Sequence, residues 1–303
     1  MIRRIKWNGR AAELFAMAAI PLTVLFVFSY LPMFGIVIAF KDFQYDGIWQ
    51  SPWVGFDNFK FLFTSQDAWR ITRNTITLNF TFILTTQVVG LFFAIVLNNV
   101  KSKFALRFYQ TAMFMPYILS SSVVAYIAHS FLDVNYGFIN HFIQALGGEA
   151  VMWYSEPKFW PFILTLVNLW KHVGYNVIIY YAALIGIDAC LYESATIDGA
   201  NKLKSVWYIT LPMLIPIAIM LFLLNIGRIF YADFGLFYMI PKDSGMLYPT
   251  TDVIDTYVYR ALRSRGDIGI ASATGFYQAI VGFVLVVSAN WLAKRFDKDY
   301  GLF

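Results

Sequence analysis

The sequence predicts an all-α integral membrane protein of six transmembrane helices, with both termini in the cytoplasm. Three observations lead there. Hydrophobic residues make up 59% of the 303 and charged residues only 14%, where a soluble domain carries roughly a quarter charged. Apolar runs of the ~20 residues that a helix needs to cross a bilayer recur six times. Lysine and arginine crowd into the segments that an inside amino terminus places in the cytoplasm.

The first apolar run, near 14–40, follows Arg3, Arg4, Lys6 and Arg10. It is too long for the h-region of a signal peptide and has no small-residue cleavage site, so a retained anchor is expected. An outer segment, 41–73, carries Asp42, Asp46, Asp57 and Asp67 before the second run near 75–98. Lys101, Lys103 and Arg107 then mark the inside, and the third run, near 111–132, leads to an outer segment at 133–158. The fourth run, near 159–187, ends at a polar cytoplasmic stretch with Lys202 and Lys204, and the fifth lies near 209–238. The outer segment 239–267 holds Arg260, Arg263 and Arg265 against the charge trend, which long loops obey weakly. The sixth run, near 268–293, is followed by Lys294, Arg295 and Lys298. No linker, low-complexity tract or internal repeat divides the chain, so one transmembrane domain, 1–303, is expected. The single cysteine, Cys190, excludes an internal disulfide, and loop cations account for the net charge of +5 without nucleic acid.

The polar stretch between the fourth and fifth runs contains YESATIDGANKLKSVWYITLP, 192–212. Asp188 is placed to cap a helix through Tyr192, Glu193 and Ala195, and Asp198-Gly199 is placed to stop it. A second short helical piece is expected from Asn201 to Tyr208, with Pro212 in the tolerated first turn of the next span. Read from polarity alone, this is a solvated connector.

Glu193, Ala195, Gly199, Ile209, Leu211 and Pro212 match the EAA loop of bacterial ABC importer permeases: E-A-A, three residues, G, nine residues, I-x-L-P, with Ser194 in place of the middle alanine. VGFDNF (54–59), NT (74–75), MPYILSSSVVA (115–125), GFIN (137–140) and IDGA (197–200) resemble the carbohydrate-uptake branch of that family, and KDF after the first span resembles its LplB-like members. The resemblance covers nearly the whole chain. It implies the type I permease fold in a bacterial cell membrane, with 188–212 as a cytoplasmic coupling loop. Glu193, Ser194, Ala195, Asp198, Gly199 and Ala200 would then meet an ATPase subunit. The implied partners are a second homologous permease in a heterodimer, two cytoplasmic ATPase subunits and an extracytoplasmic solute-binding protein. ATP and Mg would sit on the ATPase subunits, and no cofactor in this chain. That agrees with the lack of any G-x-x-x-x-G-K-[ST] phosphate cradle here.

No enzyme or metal site is expected, because His129, His141 and His172 lie far apart without metal-ligand spacing and Cys190 has no evident activating neighbour. The substrate route is sought in the fourth and fifth runs. Lys171, His172, Arg228 and Asp233 interrupt apolar sequence there, and intramembrane charge normally faces a cavity or a partner. Arg228 and Asp233, five residues apart, are also placed to pair with each other or with another span. Trp170, Tyr175, Asn225 and Tyr231 add stacking faces and an amide, which suits a molecule with apolar ring faces and many hydroxyls. Tyr117 and Tyr126 are weaker candidates, and Ser120, Ser121 and Ser122 read as packing positions. Three cations beside one anion bias such a site toward an acidic oligosaccharide. The alternative classes are an ion-coupled secondary sugar transporter, which usually shows inverted repeats, and an integral membrane enzyme, which needs a reactive constellation.

Overall fold

The computed structural model describes residues 9–296; Arg3, Arg4, Lys6 and Lys298 lie outside the described residues. Among those described, the chain is helical apart from loops and one isolated bridge, Lys41 to Trp53. Five helices are long and apolar enough to cross a membrane, or six spans if one sharply bent pair counts as a span. The chain divides into two compact units, Met1–Thr64 with Ala261–Tyr277 and Ser65–Arg260 with Gln278–Phe303.

The smaller unit begins with α1 (Gly9–Leu25), which runs on through a wider turn and a tighter one to Phe40. Its most apolar stretch is almost wholly uncovered by the rest of the chain, as a helix facing lipid would be. Beyond it, the Phe40 ring packs against Phe56, Phe59 and Phe276. Asn58, from the VGFDNF motif, donates to the carbonyls of Ala39 and Lys41, where the helix ends and its last carbonyls lack helical partners.

The larger unit opens with α2 (Gln66–Asn98), started by Ser65, whose side chain accepts from the Ala68 N–H, with Asp67 favourably placed in the first turn. The third predicted span is not one helix. α3 (Lys103–Ile118) and α4 (Ser121–Leu132) meet at 100°. Pro116 removes a ladder donor near the end of α3, Leu119 and Ser120 are extended, and Ser120 caps α4 through the Val123 N–H. The fourth span is α5 (Trp160–Leu184), which starts with Pro161 in its first turn. α3 and α5 cross so closely that a Cβ on Gly174 would collide with the Met113 carbonyl, so glycine is required there.

The polar stretch forms α6 (Ala189–Ile197), capped by Asp188 through the Cys190 N–H at 2.9 Å, and then turns at Gly199, φ +77°. The next helical piece, Lys202–Ser205, does not stop before the fifth span as expected. It runs through a wide π-turn, Val206–Thr210, into α7 (Leu211–Ile226), so Pro212 lies inside one continuous helical run. A π-turn already departs from i→i−4 pairing, which lets the chain pass a proline without ending. α7 also ends early: the expected span to 238 breaks at Gly227, and a new turn forms only at Gly235–Met239. The last helix is α8 (Ile268–Phe296).

Two apolar clusters stabilise the larger unit. Trp160, Leu164, Val124, Leu236 and Val253 gather around the start of α5, and Ala94, Val177, Tyr180, Leu184 and Leu214 around its end.

Candidate functional site

The break after α7 is built from polar side chains. Asn79 on α2 donates to the Ile229 carbonyl at 2.7 Å, Gln278 on α8 donates to the Phe230 carbonyl at 2.7 Å, and Asp255 accepts from the Ala232 N–H at 2.8 Å. Each replaces a bond that the helix would have made, so the chain leaves helical geometry without stranding buried backbone groups. Beside the break lies a cavity of about 600 Å³, walled by α2, the end of α3, the middle of α5, the end of α7 and the turn that follows.

Five of the seven predicted pathway residues line it: His172, Tyr175, Asn225, Arg228 and Tyr231. Trp170 does not; it is 42% exposed and stands outside the lining. Lys171 is also outside the lining, buried behind it. Its ammonium donates to Ser121 Oγ at 3.1 Å and pairs with Asp233 at 3.5 Å. Of the pairings open to Asp233, with Arg228 or with another span, the structure forms the second: Lys171–Asp233, which ties α5 to both broken spans. Arg228 enters none of the ion pairs among the described residues, and its guanidinium faces the cavity as the cation without a fixed carboxylate.

Sequence reasoning missed the amide wall. Asn79, Asn168 and Asn176 line the cavity beside Asn225 and are buried. Asn168 donates to Thr86 Oγ1 at 3.4 Å and Asn225 to the Leu221 carbonyl at 2.7 Å, which leaves the amide oxygens as acceptors. The available signal was an amide within an apolar run, read at Asn225 and not at Asn79, Asn168 and Asn176. Tyr117, held as a weaker candidate, stacks on Tyr175 with ring centroids 5.2 Å apart and meets His172 edge-on. The cavity thus offers flat aromatic faces, amides and one guanidinium, groups whose chemistry suits a ring-shaped hydroxylated anion.

At the other end of α5, α6 presents Glu193, Ser194 and Asp198 to solvent, with Ala195 and Ala200 half-buried. Adding a Cβ at Gly199 meets nothing within 4 Å, so its requirement for glycine is the left-handed backbone and not space. The Tyr192 hydroxyl bonds Thr210 at 2.9 Å and fastens α6 to the base of the α7 run. Ile197, Leu203 and Tyr208 are 86%, 67% and 80% exposed.

Residues 87–299 match the binding-protein-dependent transport system inner membrane component family. The chain belongs to that family. This permease is 34% identical to Protein LplB of Bacillus subtilis (strain 168) over 303 residues, which cover 100% of this chain and 92% of that protein. It is also 34% identical to the polygalacturonan/rhamnogalacturonan transport system permease protein YteP of the same organism, covering 90% and 85%. A crystal structure of a bacterial alginate ABC transporter in complex with alginate pentasaccharide-bound periplasmic protein contains a chain that superimposes with a TM-score of 0.87 at 31% identity, covering 96% of each. This permease therefore has the fold of ABC importer membrane subunits, and its role is that of the membrane component of a transport system.

Proposed function

We propose that this permease carries acidic oligosaccharides across the bacterial cytoplasmic membrane through the cavity beside the broken α7. The observation that carries the reading is Arg228: a guanidinium without a carboxylate partner among the described residues, in a wall of asparagine amides and tyrosine faces. A guanidinium holds a carboxylate bidentately, while amides serve any hydroxylated ring. Polygalacturonan and alginate, named for YteP and for the solved transporter, are both polymers of sugar acids, in keeping with that chemistry.

In this reading both termini are cytoplasmic, the chain acts as one transmembrane domain, and 188–212 is its coupling loop. Glu193, Ser194, Ala195, Asp198, Gly199 and Ala200 dock on one of two ATPase subunits, which hold ATP and Mg. A second homologous permease completes the path as a heterodimer, an extracytoplasmic solute-binding protein delivers the cargo, and membrane lipid surrounds α1. The test is uptake by vesicles carrying the assembled transporter. Arg228→Gln is expected to lower uptake of galacturonate oligomers about tenfold or more, the worth of a charge-assisted bond, and uptake of their carboxyl-reduced forms far less. Equal loss for both returns Arg228 to a structural role.

A further inference from the structure

A second cavity, about 450 Å³, lies in the larger unit. Ser122, Tyr126 and His129 of α4 form one wall, and Tyr238, Lys242 and Asp243 form the other. It lies toward the start of α5, since the His129 ring meets Tyr154 at 5.6 Å and Tyr154 meets Trp160 at 5.2 Å, whereas α6 follows the end of α5. The two cavities are built on neighbouring residues. Ser121, which takes the Lys171 bond, directly precedes Ser122, and Asp233 and Tyr238 belong to one short stretch packed on α4, where a Cβ on Gly235 would strike Ser121.

Lys242 and Asp243 are the two described non-glycine residues with positive φ, 56° and 48°. Consecutive left-handed residues persist only where surrounding structure holds them. Here the Asp243 N–H is bonded to the Tyr238 carbonyl at 3.1 Å, and the Asp243 carboxylate to Arg260 at 2.7 Å and to the Tyr248 hydroxyl at 3.2 Å. The charges of this cavity are therefore unevenly satisfied. Asp243 pairs with Arg260, which Asp252 shares, and His129 faces Asp133 at 3.5 Å. The N–H groups of Tyr136 and Asn135 hold the Asp133 carboxyl below its usual range, with Lys242 adding a smaller push in the same direction. The Lys242 ammonium itself rests over the Tyr154 ring, 5.2 Å from its centroid, and enters no ion pair among the described residues. Beside it Tyr126, 76% exposed, offers a bare ring face.

We infer that this second cavity is a separate subsite for one sugar-acid residue, its carboxylate on Lys242 and its ring face on Tyr126, which receives the outer end of an oligomer whose inner residue reaches Arg228. The inference rests on the acidic-oligosaccharide reading of the first cavity. Its volume falls in the range that encloses a small ligand. Two anion subsites engaged by one oligomer make recognition depend on chain length.

The test uses Ser122→Cys in a Cys190→Ser background, in the assembled transporter, labelled with a methanethiosulfonate reagent. Pentagalacturonate is expected to slow labelling, whereas galacturonate monomer and carboxyl-reduced pentamer leave the rate unchanged. Lys242→Asn, which tolerates the left-handed backbone, should weaken protection about tenfold, and Lys242→Arg should keep it. Unchanged labelling in a transporter whose pentamer uptake still depends on Arg228 overturns the subsite alone. Loss of that Arg228 dependence overturns the reading of the first cavity, and the subsite with it.

Discussion

At the scale of single residues, placement of charge separates binding from support. Asp233 is 37% exposed at its side chain and borders the cavity, while its partner Lys171 is 10% exposed behind it. Removing either leaves a different orphan. Asp233→Asn strands an ammonium away from water, whereas Lys171→Met leaves a carboxylate that cavity water reaches. Asp233→Asn is therefore expected to cost about 1–3 kcal/mol, discounted for the exposure of the carboxylate, and Lys171→Met less. Thermal unfolding of the detergent-solubilised protein ranks them, and the reverse order contradicts the assignment. Gly174→Val should be worse than both, because the Met113 backbone cannot yield as a side chain can. The sequence showed that residues 171, 172, 228 and 233 interrupt apolar runs, but not which pair with which. Sequence spacing left Asp233 open to Arg228 or to another span, and the early end of α7 places it against Lys171.

At the scale of elements, the short motifs that carry the family resemblance act largely as backbone anchors. Asn74 donates to the carbonyls of Pro249 and Asp252, and the Thr75 hydroxyl accepts from the Ile254 N–H. Asn140 donates to the Val151 carbonyl and accepts from Trp153 Nε1. These residues let irregular segments keep their hydrogen bonds, a need that hydropathy does not reveal. For the same reason 111–132 and 209–238 read as unbroken spans: apolarity persists through a bend, and only Pro116, the serine triplet and Gly227 hint at it. Helix α6 was more legible, because a cap at Asp188 and a stop at Gly199 are local chemistry. Gly199→Pro is expected to abolish stimulation of the partner ATPase with little change in unfolding temperature, since φ +77° is closed to proline and the segment packs on little else. Glu193→Lys should lower stimulation by reversing an exposed charge. Full stimulation in both variants would reduce the segment to a connector.

At the scale of the whole molecule, the account joins a membrane component to a cargo of one charge. The apolar runs, the charge asymmetry and the polar loop were readable from the sequence; the second cavity was not, because it arises where two broken spans meet, nor was the amide wall, because its asparagines come from three separate helices. The central claim is ATP-driven movement of sugar acids, and it is tested most directly in proteoliposomes holding the assembled transporter and its binding protein. With ATP supplied and no ion gradient, the account predicts accumulation of labelled trigalacturonate and little of its carboxyl-reduced form. Uptake that survives ATP depletion but collapses with a proton or sodium gradient, or that treats the two trimers alike, would contradict it.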